Sequence, residues 1–407
     1  MNRLFNILTI SLGLFPILKL NHYSILMIVW FIYAVYLTIS RKTFRKVSFS
    51  DSKKYVYLIL PVVFYLVSFP FVSDKNELIK IIVKTLPLLL FPIGFVFTQS
   101  LLHKNTVQYI LYAFVIAVIG VNLLGWISVF SFGFFDALQK NDFYHPVFRN
   151  LFTESTQLHI PYLGFLTAFS ALLLLYYALN FKKHLVVVGL LIVFLTGSLH
   201  IYSARMALVI FVLGLFYILW HFNTSKKLRW LMLTLLPLTL IVAIWLSPMK
   251  QRFEKMIETE WVLPHADQQP HEVNYRYAIL YCSSQIFKEN VWFGVGADQV
   301  QHSLNKCYKQ FTYRSYEDFI QKTYNTHNQY IDWILKFGII GGLILIVSLF
   351  YYLPHSTHIY QLFLGVVLLT FLTENVLDRQ IGVVFYSLFQ SIFVILKRNF
   401  IEKDISS

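Results

Sequence analysis

The sequence predicts an all-α, polytopic membrane protein of about twelve transmembrane helices, with a large helical loop before the tenth. Composition and one pattern carry this reading. Hydrophobic residues form 57% of the 407-residue chain and aromatics 18%, while only 13% are charged; mean hydropathy is +0.60. Long apolar runs recur from residue 4 to residue 396, each close to the ~20 residues that cross a bilayer as a helix. Taken in order, the spans are 4–20, 23–40, 55–72, 81–98, 108–128, 160–180, 185–201, 206–221, 231–247, 331–353, 359–373 and 380–396. Residues 129–134 either extend the fifth span or lie at the interface. Pro16 in the first span is followed by Ile-Leu-Lys-Leu rather than a small-residue cleavage site, so this run reads as a span and not a signal peptide.

Basic residues orient the chain. Arg41, Lys42, Arg45, Lys46, Lys53 and Lys54 follow the second span; Lys182 and Lys183 follow the sixth; Lys226, Lys227 and Arg229 follow the eighth; Lys397, Arg398 and Lys403 follow the last. With Arg3 they share one side of a twelve-span arrangement, which the positive-inside rule makes cytoplasmic. The net charge of +14 is then mostly an inner-leaflet anchor. Scattered over short loops, these residues do not make a nucleic-acid-binding face.

The chain divides into spans 1–9 (residues 1–247), an outer loop subdomain (248–330), and spans 10–12 with a tail (331–407). An earlier outer loop, roughly 135–159, carries Asp142, His145, Arg149, Glu154 and His159. Within the large loop, Tyr275, Ala278, Ile279, Cys282 and Ile286 mark one face of an amphipathic helix capped by Asn274. Trp292-Phe293-Gly294-Val295-Gly296 reads as the turn that ends it. Both cysteines, Cys282 and Cys307, lie in this loop. An oxidising compartment would permit a disulfide between them; two unpaired thiols are the alternative.

Polar groups gather at the outer face. Asn325-Thr326-His327-Asn328-Gln329 stands at the lip of the tenth span, ahead of Gly338, Gly341 and Gly342. A continuous helix would put His327 and Gly338 on nearly the same face, directing the histidine into the bundle. An ionisable group there is a functional candidate, against the plainer role of a histidine satisfied by a backbone carbonyl. Arg205 sits in the short join between the seventh and eighth spans, and Arg276 on the loop helix. Paired guanidiniums suit a pyrophosphate, each offering a planar fork of donors; snorkelling is the ordinary alternative for Arg205 and for Lys84 of the fourth span. Glu374, Asp378 and Arg379, between the last two spans, form either a supporting polar shell or a solvated loop with a local ion pair. No cluster of carboxylates, histidines or cysteines has metal-ligand spacing, so the sequence indicates no metal or cofactor.

His327-Asn328, nine residues, then Gly338-x-x-Gly341 resembles the signature of the O-antigen ligase and polymerase superfamily of bacterial envelope glycosyltransferases. Ser203-x-Arg205 is similar to that family's first functional arginine, and Asn274-Tyr275-Arg276 with Gly294-x-Gly296 to its second and the turn after it; Ala204 departs from the more usual polar neighbour. The resemblance covers the architecture, with its specific motifs between about 200 and 342. It implies a metal-independent, inverting transferase in the bacterial cytoplasmic membrane, active on the periplasmic face. The implied donor is a glycan on undecaprenyl diphosphate. A ligase passes it to a sugar hydroxyl of the lipid A core, a polymerase to another lipid-linked repeat. Arg205 and Arg276 are expected on the donor pyrophosphate, with Lys84, Asn328 and Arg379 as further substrate-binding candidates. His327 is expected as general base or as a cationic phosphate partner, with Asn328 orienting it.

A flippase or other transporter is the rival class. Transporters bind substrate near the midplane, often between repeats; no repeat is evident here, and the spans read as nearly free of central charge.

Overall fold

The computed structural model describes residues 2–43, 55–103, 105–141, 146–181, 184–221, 248–265, 272–311 and 313–396, with residue 268 and isolated positions between 230 and 245. Helices are the regular secondary structure of the described residues, which include no strands. The first half comprises α1 (Asn2–Ser11), α2 (Leu20–Ser40), α3 (Val56–Ser68), α4 (Lys75–Thr85), α5 (Pro87–Thr98), α6 (Thr106–Phe132), α7 (Phe134–Lys140), α8 (Val147–Thr156), α9 (Ile160–Phe181), α10 (Leu185–Ile201) and α11 (Arg205–His221). The second comprises α12 (Met249–Glu258), α13 (Tyr275–Glu289), α14 (Val300–Tyr308), α15 (Tyr313–Gln321), α16 (Gln329–Phe350), α17 (His358–Phe371) and α18 (Gln380–Ile395).

Five of these helical segments are long and apolar enough to cross a membrane: Leu20–Ser40, Lys75–Leu101, Thr106–Phe132, Ile160–Asn180 and Gln329–Phe350. Six more are apolar but shorter: Arg3–Leu14, Val56–Phe71, Leu185–Ile201, Arg205–His221, His358–Phe371 and Gln380–Ile395. Helix α2 shows why lipid is the fitting solvent. It buries Tyr23, Met27, Trp30, Ala34 and Leu37, yet its outer side presents Ile25, Ile28, Ile32 and Ile39. A helix apolar all round belongs in hydrocarbon. The protein is a multi-pass membrane protein.

Helix α6 continues to Phe132, so residues 129–132 extend this span. Of the run 231–247, the positions Thr234, Leu238, Ile241, Ile244 and Trp245 are described, and all are helical. Arg45, Lys46, Lys53, Lys54, Asp142, His145, Lys182, Lys183, Lys226, Lys227, Arg229, Lys397, Arg398 and Lys403 lie outside the described residues.

The large loop carries a small core of its own. Ala278, Ile279, Cys282 and Ile286 of α13 pack with Val300, Leu304 and Tyr308 of α14, with Phe311 and Phe319, and with Leu335 of α16. Asn274 caps α13, its side chain accepting from the Tyr277 N–H (3.1 Å). Cys282 and Cys307 form a disulfide joining α13 to α14, which decides between the two states the sequence left open.

The loop is bolted to α16 through a break in that helix. Gly338 adopts φ 66°, ψ −165°, a region essentially reserved for glycine. The break turns backbone groups outward, and the 291–296 turn takes them. Val295 N–H donates to the Leu335 carbonyl (2.8 Å), Gly296 N–H to the Lys336 carbonyl (3.1 Å), and Ile339 N–H to the Val291 carbonyl (2.9 Å). A Cβ on Gly338 would lie 2.1 Å from the Trp292 carbonyl, and one on Gly294 2.4 Å from the Leu335 oxygen. The glycines of the two motifs thus meet each other, backbone against backbone.

Candidate active site

His327 does not lie on the face of α16. The helix begins at Gln329, with Asn328 as its cap: the Asn328 side-chain oxygen accepts from the N–H groups of Tyr330 and Ile331 (3.0 Å each). His327 precedes the cap with φ 45°, held by its own N–H donating to the Asn325 side chain (3.0 Å). The helical-face argument therefore fails twice, because no helix runs through residue 327 and the helix that follows is broken at Gly338. What aims His327 is a loop fixed by Asn375. The buried Asn375 side-chain oxygen accepts from the Asn328 N–H (2.8 Å) and the Thr326 hydroxyl (3.0 Å), and its carbonyl accepts from the Tyr162 hydroxyl (2.9 Å).

Asn375 lies in the connection between α17 and α18, which also delivers Glu374. The Glu374 carboxylate stands 3.9 Å from His327 Nδ1, with both side chains partly buried. Below this pair, Lys336 Nζ contacts Asp332 and Asp378 at 2.6 Å each, and Asn375 donates to the other Asp378 oxygen (3.3 Å). Asp378 is thus paired with Lys336 and not with its neighbour Arg379, contrary to the local ion pair considered from sequence. Asp332 and Lys336 lie near the start of α16 and not at its middle. Burying such a triad is costly unless every charge is partnered, and the same groups hold the Asn375 hub in place.

Arg205 enters by a different route. Helix α10 ends at a turn in which Ser203 is left-handed (φ 54°), the Ser203 N–H donating to the His200 carbonyl (3.1 Å) and the Ala204 N–H to the Leu199 carbonyl (3.0 Å). This is the paired closure that ends helices. Helix α11 starts immediately afterwards with Arg205. Ala204 is small where α9 comes close: a Cβ on Gly164 would sit 3.0 Å from its own, which accounts for the departure at this position. Arg149 of α8 braces the turn, Nη1 donating to the carbonyls of Tyr202 (3.0 Å) and Ser203 (3.3 Å). Helix α8 is held against α6 by Phe152, packed onto Gly125 and edge-on to Tyr202.

Electrostatics ties these parts together. Burial, then the charge of Arg205, pull the Arg149 guanidinium down to about 10, with Glu374 opposing; it remains a cation at neutral pH. The crowding of protein around His159 lowers its affinity for a proton. Glu374 opposes this, and Arg379, Arg149 and His327 add to it. Arg149, His159, Arg205, His327, Glu374 and Arg379 therefore share one electrostatic neighbourhood, contributed by three connections and two helix starts. Sequence reasoning named Arg149 and His159 only as members of a loop; their spacing from Arg205 and His327 gave no sign of the meeting.

Arg276 is less tightly placed. It is exposed at the start of α13, where Tyr275 stacks on Tyr324 (5.0 Å) and Tyr324 lies 6.0 Å from the His327 ring. The first residue of α13 thus connects to the histidine through the Tyr324 ring, while the Arg276 side chain makes no hydrogen bond or ion pair among the described residues. Lys84 is exposed in the last turn of α4, also without such a contact among them. The Asn328 amide is committed, its oxygen to the cap and its nitrogen to the Leu372 carbonyl (3.2 Å). Among the described residues no group of three or more His, Cys, Asp or Glu could hold a metal ion.

One end of the helical assembly thus gathers cations around a histidine–carboxylate pair, a setting for acid–base chemistry on an anionic substrate. No curated protein matches the chain. Residues 184–346 match the family model described as O-Antigen ligase, a segment that includes Arg205, Arg276, His327, Gly338 and Gly341. Over that segment the chain is similar to the O-antigen ligase family.

Proposed function

We propose that this protein is a metal-independent, inverting glycosyltransferase that moves a glycan from undecaprenyl diphosphate to a sugar hydroxyl of the lipid A core. The observation that carries the reading is the histidine–carboxylate pair set among arginines. The acceptor hydroxyl attacks the anomeric carbon from the face opposite the diphosphate, and the bond from that carbon to the phosphate oxygen breaks. Its electron pair goes to the departing undecaprenyl diphosphate. His327 takes the hydroxyl proton, and Glu374 stabilises the imidazolium that results, as a carboxylate does in the serine-protease triad. Arg205 and Arg276 hold the diphosphate and stabilise the charge that grows on it, the work a divalent ion does elsewhere. Arg379 adds positive potential.

The reaction belongs at the periplasmic face of the cytoplasmic membrane. Two observations support this orientation: the basic loops expected on the opposite side, and a disulfide in the loop beside the site, a bond that persists in oxidising compartments.

Deletion in the native host, followed by analysis of its lipopolysaccharide, tests the substrate assignment. A ligase mutant leaves full-length glycan stranded on the lipid carrier. Core capped by a single repeat would replace the ligase reading with a polymerase, which uses the same donor chemistry on a lipid-linked acceptor.

A further inference from the structure

We infer that the tip of the large outer loop, residues 291–296, is a membrane anchor: Trp292 and Phe293 insert among the lipid acyl chains of the leaflet on that side. Only the multi-pass architecture is needed for this; the donor assignment is not.

Two attachments fix the level of the tip. It is hydrogen-bonded to α16 at Leu335, Lys336 and Ile339, on either side of Gly338, nine residues past the start of that helix at Gln329. At 1.5 Å per residue this is ~13 Å along a helix long and apolar enough to cross the membrane. Directly after the joint, Ile340, Leu343, Ile346, Val347 and Phe350 are exposed, an apolar stripe suited to lipid. The second attachment is Asp298, whose Oδ2 accepts from the N–H groups of Ser73 (3.2 Å) and Asp74 (2.9 Å). Those residues join two apolar helical segments, Val56–Phe71 and Lys75–Leu101, so Asp298 stands at a membrane surface. A loop is ordinarily kept out of lipid because its backbone groups would lack partners. Here the break at Gly338 supplies them, through the Val295, Gly296 and Ile339 N–H groups and the carbonyls they reach.

The chemistry of the tip matches that level. From Asn290 to Ala297 the chain carries no charge, while Lys288, Glu289 and Asp298 flank the segment. Trp292 is 64% exposed and Phe293 77%. Single apolar residues scattered over a surface need no explanation, but two adjacent large aromatics on a loop held to a membrane helix do. Acyl chains take the apolar rings, and the indole N–H stays near the headgroups, where tryptophan is enriched in membrane proteins. The exposed Lys288 at the end of α13 is placed to reach those headgroups along its own stem. Helix α13 is then held at both ends: by the bilayer here, and at Tyr275, which stacks on Tyr324 beside His327.

The test uses the full chain in liposomes of phosphatidylethanolamine and phosphatidylglycerol. Because Cys282 and Cys307 are joined to each other, Trp292→Cys and Phe293→Cys each offer a single thiol for a nitroxide label. Leu343→Cys is the lipid control and Lys306→Cys, at an exposed position of α14, the water control. Both aromatic positions are expected to behave as Leu343 does, colliding freely with oxygen and severalfold less than Lys306 with a water-soluble nickel chelate. Labels as open to nickel as the one at Lys306 overturn the anchor. Labels shielded from both probes overturn lipid as the occupant, in favour of protein such as a second copy of the chain. Labels that leave water only when a polyprenyl phosphate is added overturn it in favour of a prenyl chain. Where a cysteine variant fails to fold, unlabelled protein decides: lipids brominated near the headgroup end of their acyl chains should quench the fluorescence of wild type by a larger fraction than that of Trp292→Phe, and equal quenching overturns the anchor.

Discussion

Gly338→Ala perturbs the joint between the outer loop and α16 at its tightest point. The new Cβ would lie 2.1 Å from the Trp292 carbonyl, so the turn must withdraw or the helix must straighten. Straightening would let the Leu335 and Lys336 carbonyls find partners within the helix, but would strand Val291 O, Val295 N–H and Gly296 N–H on the turn. Three inter-segment hydrogen bonds are lost, at ~1 kcal/mol each. Keeping the kink instead costs roughly 1–3 kcal/mol for a backbone region that only glycine enters readily. The cheaper route sets the expected loss at about 1–3 kcal/mol, a sizeable part of the ~5–15 kcal/mol that holds a typical domain. Melting of the purified protein, followed by tryptophan fluorescence, measures it. Gly365→Ala in α17 is the control, since a Cβ there meets nothing within 4 Å; it should be neutral or stabilising by up to ~1 kcal/mol. Gly338→Ala melting within about 1 kcal/mol of wild type, on the scale of an ordinary surface change, would refute the joint.

Asn375→Leu should lower transfer on the order of a hundredfold, the scale set by small misplacements of a reacting group, with the variant still inserted in the membrane; near-normal turnover would show that His327 is not aimed by this hub. Arg205→Ala and Arg276→Ala should each abolish most transfer, and lysine should rescue poorly because a point charge cannot reproduce a bidentate fork; activity retained in both alanine variants would remove their pyrophosphate role. His159 binds its proton less readily in the folded protein than at its usual value of 6.5, so the unfolded chain takes up more protons as pH falls. Its contribution to stability is present above about 6.5 and lost progressively below it; His159→Gln should flatten that acid limb in a melting series from pH 8 to 5, and an unchanged limb would contradict the assignment.

Hydrophobic runs made the helices legible, because a segment that must face lipid has little freedom in composition. The core face of α13 was equally readable, since the period of Tyr275, Ala278, Ile279, Cys282 and Ile286 and the cap at Asn274 agree. The direction of His327 was misread, although the clues were local: Asn328 is a good cap, and Gly338 can break a helix. The error lay in treating 327–338 as continuous. Asp332 and Lys336 stand at helix spacing within the apolar run and could have been paired from sequence, but Asp378 could not, because it arrives from another connection. The same holds for Arg149 at the Tyr202–Ser203 turn and for Glu374 beside His327. Such meetings depend on helix packing, which apolar periodicity does not encode residue by residue.

Reconstituted transfer tests the central claim most directly. Purified wild-type protein in liposomes, given an undecaprenyl-diphosphate-linked glycan and lipid A core in excess chelator, should form the joined product, and His327→Ala under the same conditions should form almost none. Wild-type activity that stops in chelator and returns with a divalent ion would contradict the metal-free mechanism. Full activity in His327→Ala would contradict the site.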